Sequence, residues 1–180
     1  MTVPTWRVDA AAKVRVQGRL WRMLSPRWAH DPLSGAGAAR FGGRWNARDR
    51  PALYLSEDHG TAIAEYMQGF VHPGTLTPYT LDVERVLDLT DAATRSTVGV
   101  DVDSLALHWR TVRDVDKGMP ASWTFSEAAV DAGFDGLRVR SAQATGWNIV
   151  LWRWNVDKHS RATVVDPDGD LPRNAKSWLP

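Results

Sequence analysis

The chain has 180 residues, of which 43% are hydrophobic and 24% are charged. This size and composition suit one compact domain with its own hydrophobic core. The formal net charge is +1, from 22 basic and 21 acidic residues, so the overall charge gives no argument for nucleic-acid binding. Cysteine is absent, which excludes disulfides and thiolate metal sites and favours a reducing cytoplasm.

The sequence also limits where the protein acts. Charges and prolines interrupt every apolar run before it reaches the length that crosses a bilayer, and residues 1–7 lack the apolar stretch of a secretory signal. Ten tryptophans are many for this length. No basic cluster accompanies them, so they predict core and pocket walls rather than a surface that stacks nucleic-acid bases. We expect a cytoplasmic protein that binds neither membranes nor nucleic acid directly.

The N-terminal part of the chain predicts one strand and one long loop. Residues 1–17 show no pattern and are interpreted as an N-terminal extension. Residues 19–24 alternate loosely and predict a strand, from which Arg22 projects either as a functional group or as a rim arginine over apolar surface. The segment 25–43 is rich in proline, glycine, serine and alanine. A connection this long inside a compact domain is usually functional or mobile.

Residues 35–65 read as a glycine-rich loop, a short apolar strand and a helix. Gly42 and Gly43 allow a sharp turn or the close approach of a ligand, because neither residue has a Cβ. Arg44 and Asn46 follow at once and supply hydrogen-bond donors at that place.

The strand and helix after this loop carry two further polar residues of interest. Alternation over residues 52–55 predicts that Tyr54 lies on the face opposite its two leucine neighbours. Ser56 and the acidic residues after it begin a predicted helix over about residues 57–69. Glu65 falls near the middle of that helix among small and apolar neighbours. It therefore lies against the protein body or, with about equal support from spacing alone, on an ordinary exposed face.

The second half of the chain predicts an alternation of short strands and helices, with a helix N-cap at Thr90 or Asp91. The helix expected within residues 101–116 has three candidates for packing against the core, namely Leu105, Leu107 and Trp109. The predicted elements are strands over 75–83 and 86–89, a helix within 101–116, a helix over 121–132, strands over 136–139 and 149–154, and a turn at 166–169 in a polar tail.

Several kinds of catalytic site find no support in the sequence. The five histidines form no metal-ligand pair, so no metal site is predicted. No serine lies in the Gly-x-Ser-x-Gly turn of hydrolases, so a nucleophilic triad is not predicted either. His59 lies close in sequence to Tyr54 and Glu65, although loop histidines are common.

The remaining polar residues suit a substrate with a phosphate, a planar ring and a ribose. An arginine binds phosphate through parallel charge-assisted hydrogen bonds, and a tyrosine ring offers a flat face to a heteroaromatic ring. A carboxylate stabilises positive charge that develops at an anomeric carbon. By residue type alone, cleavage of the nicotinamide–ribose bond of NAD is one option among several.

The motif of residues 34–65 resembles the RES domain, the toxin half of bacterial RES–Xre toxin–antitoxin pairs. The resemblance is carried by Ser-Gly-Ala-Gly-Ala-Ala-Arg-Phe-Gly-Gly-Arg-Trp-Asn at 34–46, Ala-Leu-Tyr-Leu-Ser at 52–56 and Ala-Glu at 64–65. It extends to Leu-Trp-Arg at 20–22, Gly-Leu-Arg-Val-Arg-Ser at 136–141 and Asn-Ile-Val-Leu at 148–151, and so covers roughly residues 18–155.

This resemblance implies an α+β fold like that of ADP-ribosyltransferases, in which helices flank a split central β-sheet in one compact domain. The implied division is an N-terminal extension over 1–17, the RES domain over 18–157 and a C-terminal tail over 158–180. The implied partner is an Xre-type helix-turn-helix antitoxin that occludes the active site.

The implied function is a toxin that degrades NAD by cleaving the nicotinamide–ribose bond, as a glycohydrolase or a phosphorylase. NAD is then the substrate, and no prosthetic group or metal is expected. One alternative is a protein ADP-ribosyltransferase that uses NAD, and another, of a different class, is a non-catalytic RES-like binding module.

The resemblance also assigns roles to single residues. Met23 departs from relatives that carry an aromatic residue after the arginine, which affects one wall of the expected ring pocket. The implied catalytic residues are Arg22, Tyr54, Glu65 and Ser141, and the implied substrate-binding residues are Gly43, Arg44, Asn46 and Asn148. Arg44 and Asn46 are expected either to shape the pocket or to hold the loop, and a cap of the final strand is the alternative role of Asn148.

Overall fold

One mixed sheet organises residues 6–178, the part of the chain that the structure, a computed structural model, describes. The strand order is β1-β2-β5-β4-β3-β6, and β1 also pairs with β3. All pairings are antiparallel except the parallel pair β3–β4. The strands are β1 (Val14–Leu24), β2 (Leu53–Ser56), β3 (Thr75–Asp88), β4 (Gly136–Arg140), β5 (Trp147–Leu151) and β6 (Ser160–Val164).

The sheet is split into two halves that touch in only two places. One half is β1-β3-β6 and the other is β2-β5-β4. On one side the halves meet through a single pair of residues, Trp21 of β1 and Ser56 of β2. On the other side they meet through three pairs of β3 and β4, at residues 86–88 of β3. The predicted α+β class with a split central sheet is confirmed.

Six α-helices flank the sheet in the described residues. The aspartates before α2, α3 and α4 cap these helices by accepting backbone hydrogen bonds, and the predicted N-cap at Asp91 is thereby confirmed. None of the helices within residues 6–178 is long and apolar enough to cross a membrane. The helices are α1 (Ala36–Phe41), α2 (His59–Met67), α3 (Ala92–Val98), α4 (Val102–Ala106), α5 (Trp109–Asp114) and α6 (Ala121–Asp131).

The hydrophobic core consists of two clusters, and successive residues of a strand contribute to one cluster and then to the other. Leu53 and Leu55 of β2 belong to one cluster, together with buried residues of β1, β3 and β5. Tyr54 packs against the other cluster, which is built around Phe125 and Phe134. The predicted opposition of Tyr54 to its leucine neighbours is confirmed.

Several predicted elements differ in the structure. The two strands expected over 75–83 and 86–89 are one strand, β3, because Glu84 and Arg85 stay in extended backbone between neighbouring strands. The loop over 25–43 contains the 3-10 helix Pro26–Trp28 and α1. The helix expected within 101–116 is two helices, and Leu107 between them is 61% exposed rather than packed.

The ends of the chain contribute more regular structure than their composition predicts. Val14 begins β1 within the predicted extension, and β6 lies within the predicted tail. The inward positions of β6, Ser160 and Ala162, are small, so no apolar alternation marks this strand. The division into extension, domain and tail stays a prediction, and residues 1–5 and 179–180 lie outside the described part.

A buried ion cluster joins the two halves of the sheet behind β4. The carboxylate of Asp135 is 0% exposed and accepts a 2.6 Å hydrogen bond from Nε of Arg85 on β3. Nε of Arg153, which follows β5, lies 3.1 Å from the other carboxylate oxygen. Arg85 also binds the exposed Asp157 at 2.6 Å. The hydrogen bonds to its two carboxylate partners raise the pKa of Arg85, so this guanidinium stays charged.

We predict that Asp135→Asn lowers the free energy of unfolding by about 3 kcal/mol. This is the lower end of the range for a broken buried ion pair, because both arginines keep some contact with water. Asp157→Asn removes a partner of the same arginine at the surface and should cost less than about 1 kcal/mol. Urea unfolding of the three proteins measures the difference, and equal losses in both variants would contradict the central role of Asp135.

Candidate functional site

A cavity of about 360 Å³ lies where the two halves of the sheet separate. One wall is the end of β1, including Trp21, Arg22 and Met23. The opposite wall is formed by β2, β4 and β5, and the remaining walls by the loop after α1, the helix α2 and the helix α5. The cavity therefore occupies the gap beside the single pair that links β1 to β2.

The loop at residues 42–46 is held rigidly against the body of the protein. The indole of Trp123 donates to the carbonyl of Gly43 at 2.6 Å, and the indole of Trp152 donates to the carbonyl of Trp45 at 2.7 Å. Gly42 has a φ of +69°, and a Cβ at Gly43 would collide with the side chains that lie behind the loop. The glycine pair thus serves the packing of the loop.

Asn46 organises this loop from a fully buried position. Its amide nitrogen lies 3.0 Å from the carbonyl oxygens of Ala38, Ala47 and Arg50. Its amide oxygen accepts a 2.7 Å hydrogen bond from the hydroxyl of Tyr54. Because no part of Asn46 reaches the cavity wall, the geometry favours a positioning role over the predicted contact with substrate.

Tyr54 presents its ring to the cavity and keeps its hydroxyl buried. The hydroxyl donates to Asn46 and accepts a 3.0 Å hydrogen bond from the backbone amide of Trp45. Burial raises the pKa of Tyr54 far above its usual value, so the hydroxyl stays protonated near neutral pH. What Tyr54 offers a ligand is a flat aromatic face.

Glu65 projects from α2 into the cavity with one oxygen bound and one free. Oε1 accepts hydrogen bonds from Oγ of Ser141 at 2.6 Å, from Nδ2 of Asn148 at 2.7 Å and from the amide of Ala142 at 3.3 Å. Oε2 has no partner among the described residues. The carboxylate is therefore fixed in direction, and its free oxygen is available to a ligand.

The two side chains that hold Glu65 are themselves held. Oγ of Ser141 also accepts hydrogen bonds from the amides of Gln143 and Ala144, at 3.0 and 3.1 Å, so it fixes the turn after β4. The amide oxygen of Asn148 accepts a 2.6 Å hydrogen bond from Oγ of Ser56. Asn148 and Ser56 both line the cavity, whereas Ser141 lies behind Glu65.

Positive charge predominates around this single carboxylate. Nη1 of Arg22 donates to the carbonyls of Pro32 and Ser34, at 3.1 and 3.4 Å, and the side chain of Arg22 lines the cavity. In residues 6–178 no carboxylate lies within ion-pair distance of any cavity arginine. Such a site suits an anionic ligand. The cavity arginines are Arg22, Arg44, Arg110 and Arg140.

The structure brings the predicted site residues together from six segments of the chain. Asn46 and Ser141 lie one hydrogen bond behind the cavity. His59 is exposed and contacts the edge of Trp21, and it does not line the cavity. The predicted residues that line it are Arg22, Gly43, Arg44, Tyr54, Glu65 and Asn148.

Other lining residues were not predicted from the sequence. Ser56 could have been found by its strand position, because it shares a face with Tyr54 two residues earlier. Arg140 could have been found because it lies within the matched motif at 136–141, directly before Ser141. Arg110 carries no such signal, since only the tertiary fold brings it to the cavity. Among the described residues, no group of three or more acidic or histidine side chains could hold a metal ion.

Comparison with known proteins identifies relatives of this chain. The chain is 33% identical over 112 residues to a protein named NAD(+) phosphorylase MbcT, from Mycobacterium tuberculosis and Mycobacterium bovis. This match covers 55% of the chain and 59% of each relative, so the chain spans about three fifths of their length. The crystal structure of the M. tuberculosis MbcT-MbcA toxin-antitoxin complex superposes with a TM-score of 0.64 at 26% identity, over 89% of this chain and 87% of that one.

The family model of the RES domain matches residues 19–174. This range contains every strand after the first residues of β1, the whole cavity and both hydrogen-bonded supports of Glu65. The resemblance noted in the sequence is confirmed, and the chain belongs to the RES domain family.

Proposed function

We propose that this protein cleaves the nicotinamide–ribose bond of NAD and transfers the ADP-ribosyl group to inorganic phosphate or water. The observation that carries the proposal is the state of Glu65, a carboxylate with one oxygen fixed by three donors and the other free in an arginine-rich cavity. The name of the relatives, NAD(+) phosphorylase, supports the same reaction.

The geometry suggests how the parts of NAD are bound. Arg22 reaches the cavity from β1 without a carboxylate partner among the described residues, and its planar guanidinium suits the pyrophosphate. The ring of Tyr54 offers its face to the positively charged nicotinamide. The free oxygen of Glu65 accepts a hydrogen bond from a ribose hydroxyl and lies where positive charge develops at the anomeric carbon.

The reaction proceeds without a redox change. The bond between the anomeric carbon and the ring nitrogen breaks, and its electron pair neutralises the nicotinamide. A bond forms from the anomeric carbon to an oxygen of phosphate or water, and the acceptor loses a proton to solvent. The excess of arginines over carboxylates at the cavity favours the anionic acceptor, phosphate.

A direct test is to incubate the purified protein with NAD, with and without phosphate, and to identify the products by mass spectrometry. We expect nicotinamide release that depends on phosphate, with a phosphorylated ADP-ribose as the second product. Free ADP-ribose in both reactions would identify a hydrolase, and label from NAD on protein in a lysate would identify a protein ADP-ribosyltransferase. Binding of NAD without any release of nicotinamide would contradict catalysis.

We predict that Glu65→Gln lowers kcat for nicotinamide release by about 100- to 1,000-fold, the usual effect of losing one preorganised electrostatic contact. The glutamine oxygen can still accept from Ser141 and Asn148, so the melting temperature and NAD binding should change little. Glu84→Gln is the matched control, because Glu84 is exposed on β3 away from the cavity. Near wild-type turnover by the folded Glu65→Gln protein would show that this carboxylate is not essential.

We predict that Arg22→Lys raises KM for NAD at least tenfold, because lysine keeps the charge and loses the planar fork that binds phosphate. Arg19→Lys is the control on the same strand, since Arg19 is exposed and lies outside the cavity. Steady-state kinetics and melting temperatures of the same preparations separate binding from folding. A fall in stability with an unchanged KM would assign Arg22 a purely structural role.

We further propose that the protein acts in the cytoplasm as the toxin of a toxin–antitoxin pair, and that an Xre-type antitoxin covers the cavity mouth. The solved relative is a toxin-antitoxin complex. Large apolar side chains are exposed next to cavity-lining residues. They are Phe41 beside Gly42, Phe70 and Val71 after Gln68, and Leu107 before Trp109, with exposed fractions of 60, 78, 94 and 61%. A stable cover would bury roughly 1,600 Å² in total.

We predict that expression of the chain alone stops bacterial growth after the NAD pool falls, and that co-expression of the cognate antitoxin restores growth. Phe70→Ser should keep NAD turnover and weaken this rescue, because it removes an exposed apolar side chain two residues after Gln68, which lines the cavity. Val156→Ser is the control, since Val156 is 70% exposed after β5 and outside the cavity. Arrest with a constant NAD pool would favour protein modification, and folded protein without any growth defect would favour a binding module.

A further inference from the structure

Both polar atoms of the Asn148 side-chain amide are hydrogen-bonded, the nitrogen to Glu65 and the oxygen to Ser56. The resemblance gave Ser56 no role in the site. Oγ of Ser56 donates to the amide oxygen of Asn148 at 2.6 Å. The amide nitrogen of Asn148 then donates to Oε1 of Glu65 at 2.7 Å. The three side chains form one chain of hydrogen bonds that leads from β2 through β5 to α2.

Among the three hydrogen-bonded side chains, that of Ser56 belongs to a residue paired with strands on both sides. It pairs with Asn148 of β5 on one side and with Trp21 of β1 on the other, so it lies where the two halves of the sheet meet. Its side chain is 4% exposed, and the hydroxyl has no competing partner of similar geometry within the described residues. Water therefore does not readily replace its hydrogen bond.

The orientation of the Asn148 amide determines whether its nitrogen can donate a hydrogen bond to Glu65. With the amide oxygen held by Ser56, the nitrogen faces Glu65 and donates to the carboxylate. If the amide turned over, its oxygen would face the carboxylate oxygen, and two acceptors would repel each other. Without the serine hydroxyl, the amide oxygen of Asn148 loses its only donor among the described residues, and the orientation that serves Glu65 is no longer favoured.

We infer that Ser56 is a positioning residue that acts through Asn148 to fix the carboxylate of Glu65 and keep its second oxygen directed at the substrate. The kinetic consequence rests on the proposed cleavage of NAD. The structural consequence, an ordered Asn148 amide, does not depend on any reaction.

The structural consequence is tested by NMR of the side-chain amides in protein labelled with ¹⁵N-asparagine, which has four asparagines. Asn148→Ala assigns the signal of Asn148. In the wild-type protein this NH₂ should be well resolved and protected from solvent exchange. In Ser56→Ala we expect its signal to move toward that of a free amide and its exchange to quicken about tenfold, the equivalent of one ordinary hydrogen bond.

The kinetic consequence is tested with a double-mutant cycle of Ser56→Ala and Asn148→Ala. Ser56→Ala should lower kcat for nicotinamide release about tenfold and leave KM for NAD unchanged. Added to Asn148→Ala, it should lower kcat no further, because its only route to Glu65 is already removed. Ser126→Ala is the control, since Ser126 is equally buried and binds only the carbonyl of Ser122 in α6.

The outcomes separate this inference from the proposed function. An unchanged Asn148 signal in Ser56→Ala, or losses in kcat that multiply in the double variant, would overturn the role of Ser56. A wild-type protein that releases no nicotinamide would overturn the proposed function, and the Asn148 signal would still decide the role of Ser56. If the alanine variant does not fold, Ser56→Cys, whose thiol is a weak donor, should give an intermediate change in the same signal.

Discussion

The site depends on how little the two halves of the sheet touch. On the side of the cavity, β1 and β2 share one residue pair, Trp21 with Ser56. Beyond this pair the strands separate, and the space between them is the cavity. A continuous ladder here would have closed the gap with packed side chains. The fold therefore makes room for a ligand by leaving two neighbouring strands almost unpaired, while β3 and β4 keep the halves together on the other side.

Within this gap, the groups that face a ligand are held by groups that do not. Tyr54 is fixed by Asn46 and the backbone of Trp45, and Glu65 is fixed by Ser141 and Asn148. Two buried indoles hold the loop that carries Arg44. Such support matters because electrostatic stabilisation is largest when the donors and charges need no rearrangement during the reaction.

The sequence predicted the parts of the site that lie in local patterns and in one long motif. The alternation around Tyr54 placed its ring correctly, and the motif brought Arg22, Glu65 and Asn148 to one cavity. Of the two roles expected for Asn46, shaping the pocket or holding the loop, its hydrogen bonds favour the second. The sequence could not decide between them, because only the folded loop brings those backbone carbonyls near the amide. Arg110 was missed because nothing in its own segment distinguishes it from other surface arginines, and Arg140 was missed although it directly precedes Ser141 in a matched motif.

The fold was less predictable where polar residues take buried positions. The strand β6 turns Ser160 and Ala162 inward, so it lacks the apolar alternation that reveals a strand. Asp135 reads as an ordinary loop aspartate, yet it is wholly buried beside Arg85 of β3 and Arg153, which follows β5. In both cases the partner that makes burial favourable is distant in the chain, and no local pattern records it.

Because β2 pairs with β5, the site can form only late in the synthesis of the chain. Leu53 pairs with Leu151 and Ser56 with Asn148, so β2 cannot complete its pairing until β5, which is synthesised much later, is available. Pairings between such distant segments form slowly, and a chain emerges from the ribosome with its N-terminal residues first. Tyr54 and Glu65 are thus synthesised long before the donors that orient the carboxylate. A nascent chain that has not reached residue 151 already carries Tyr54 and Glu65 but cannot yet assemble the cavity, so the site forms only after β5 has been made.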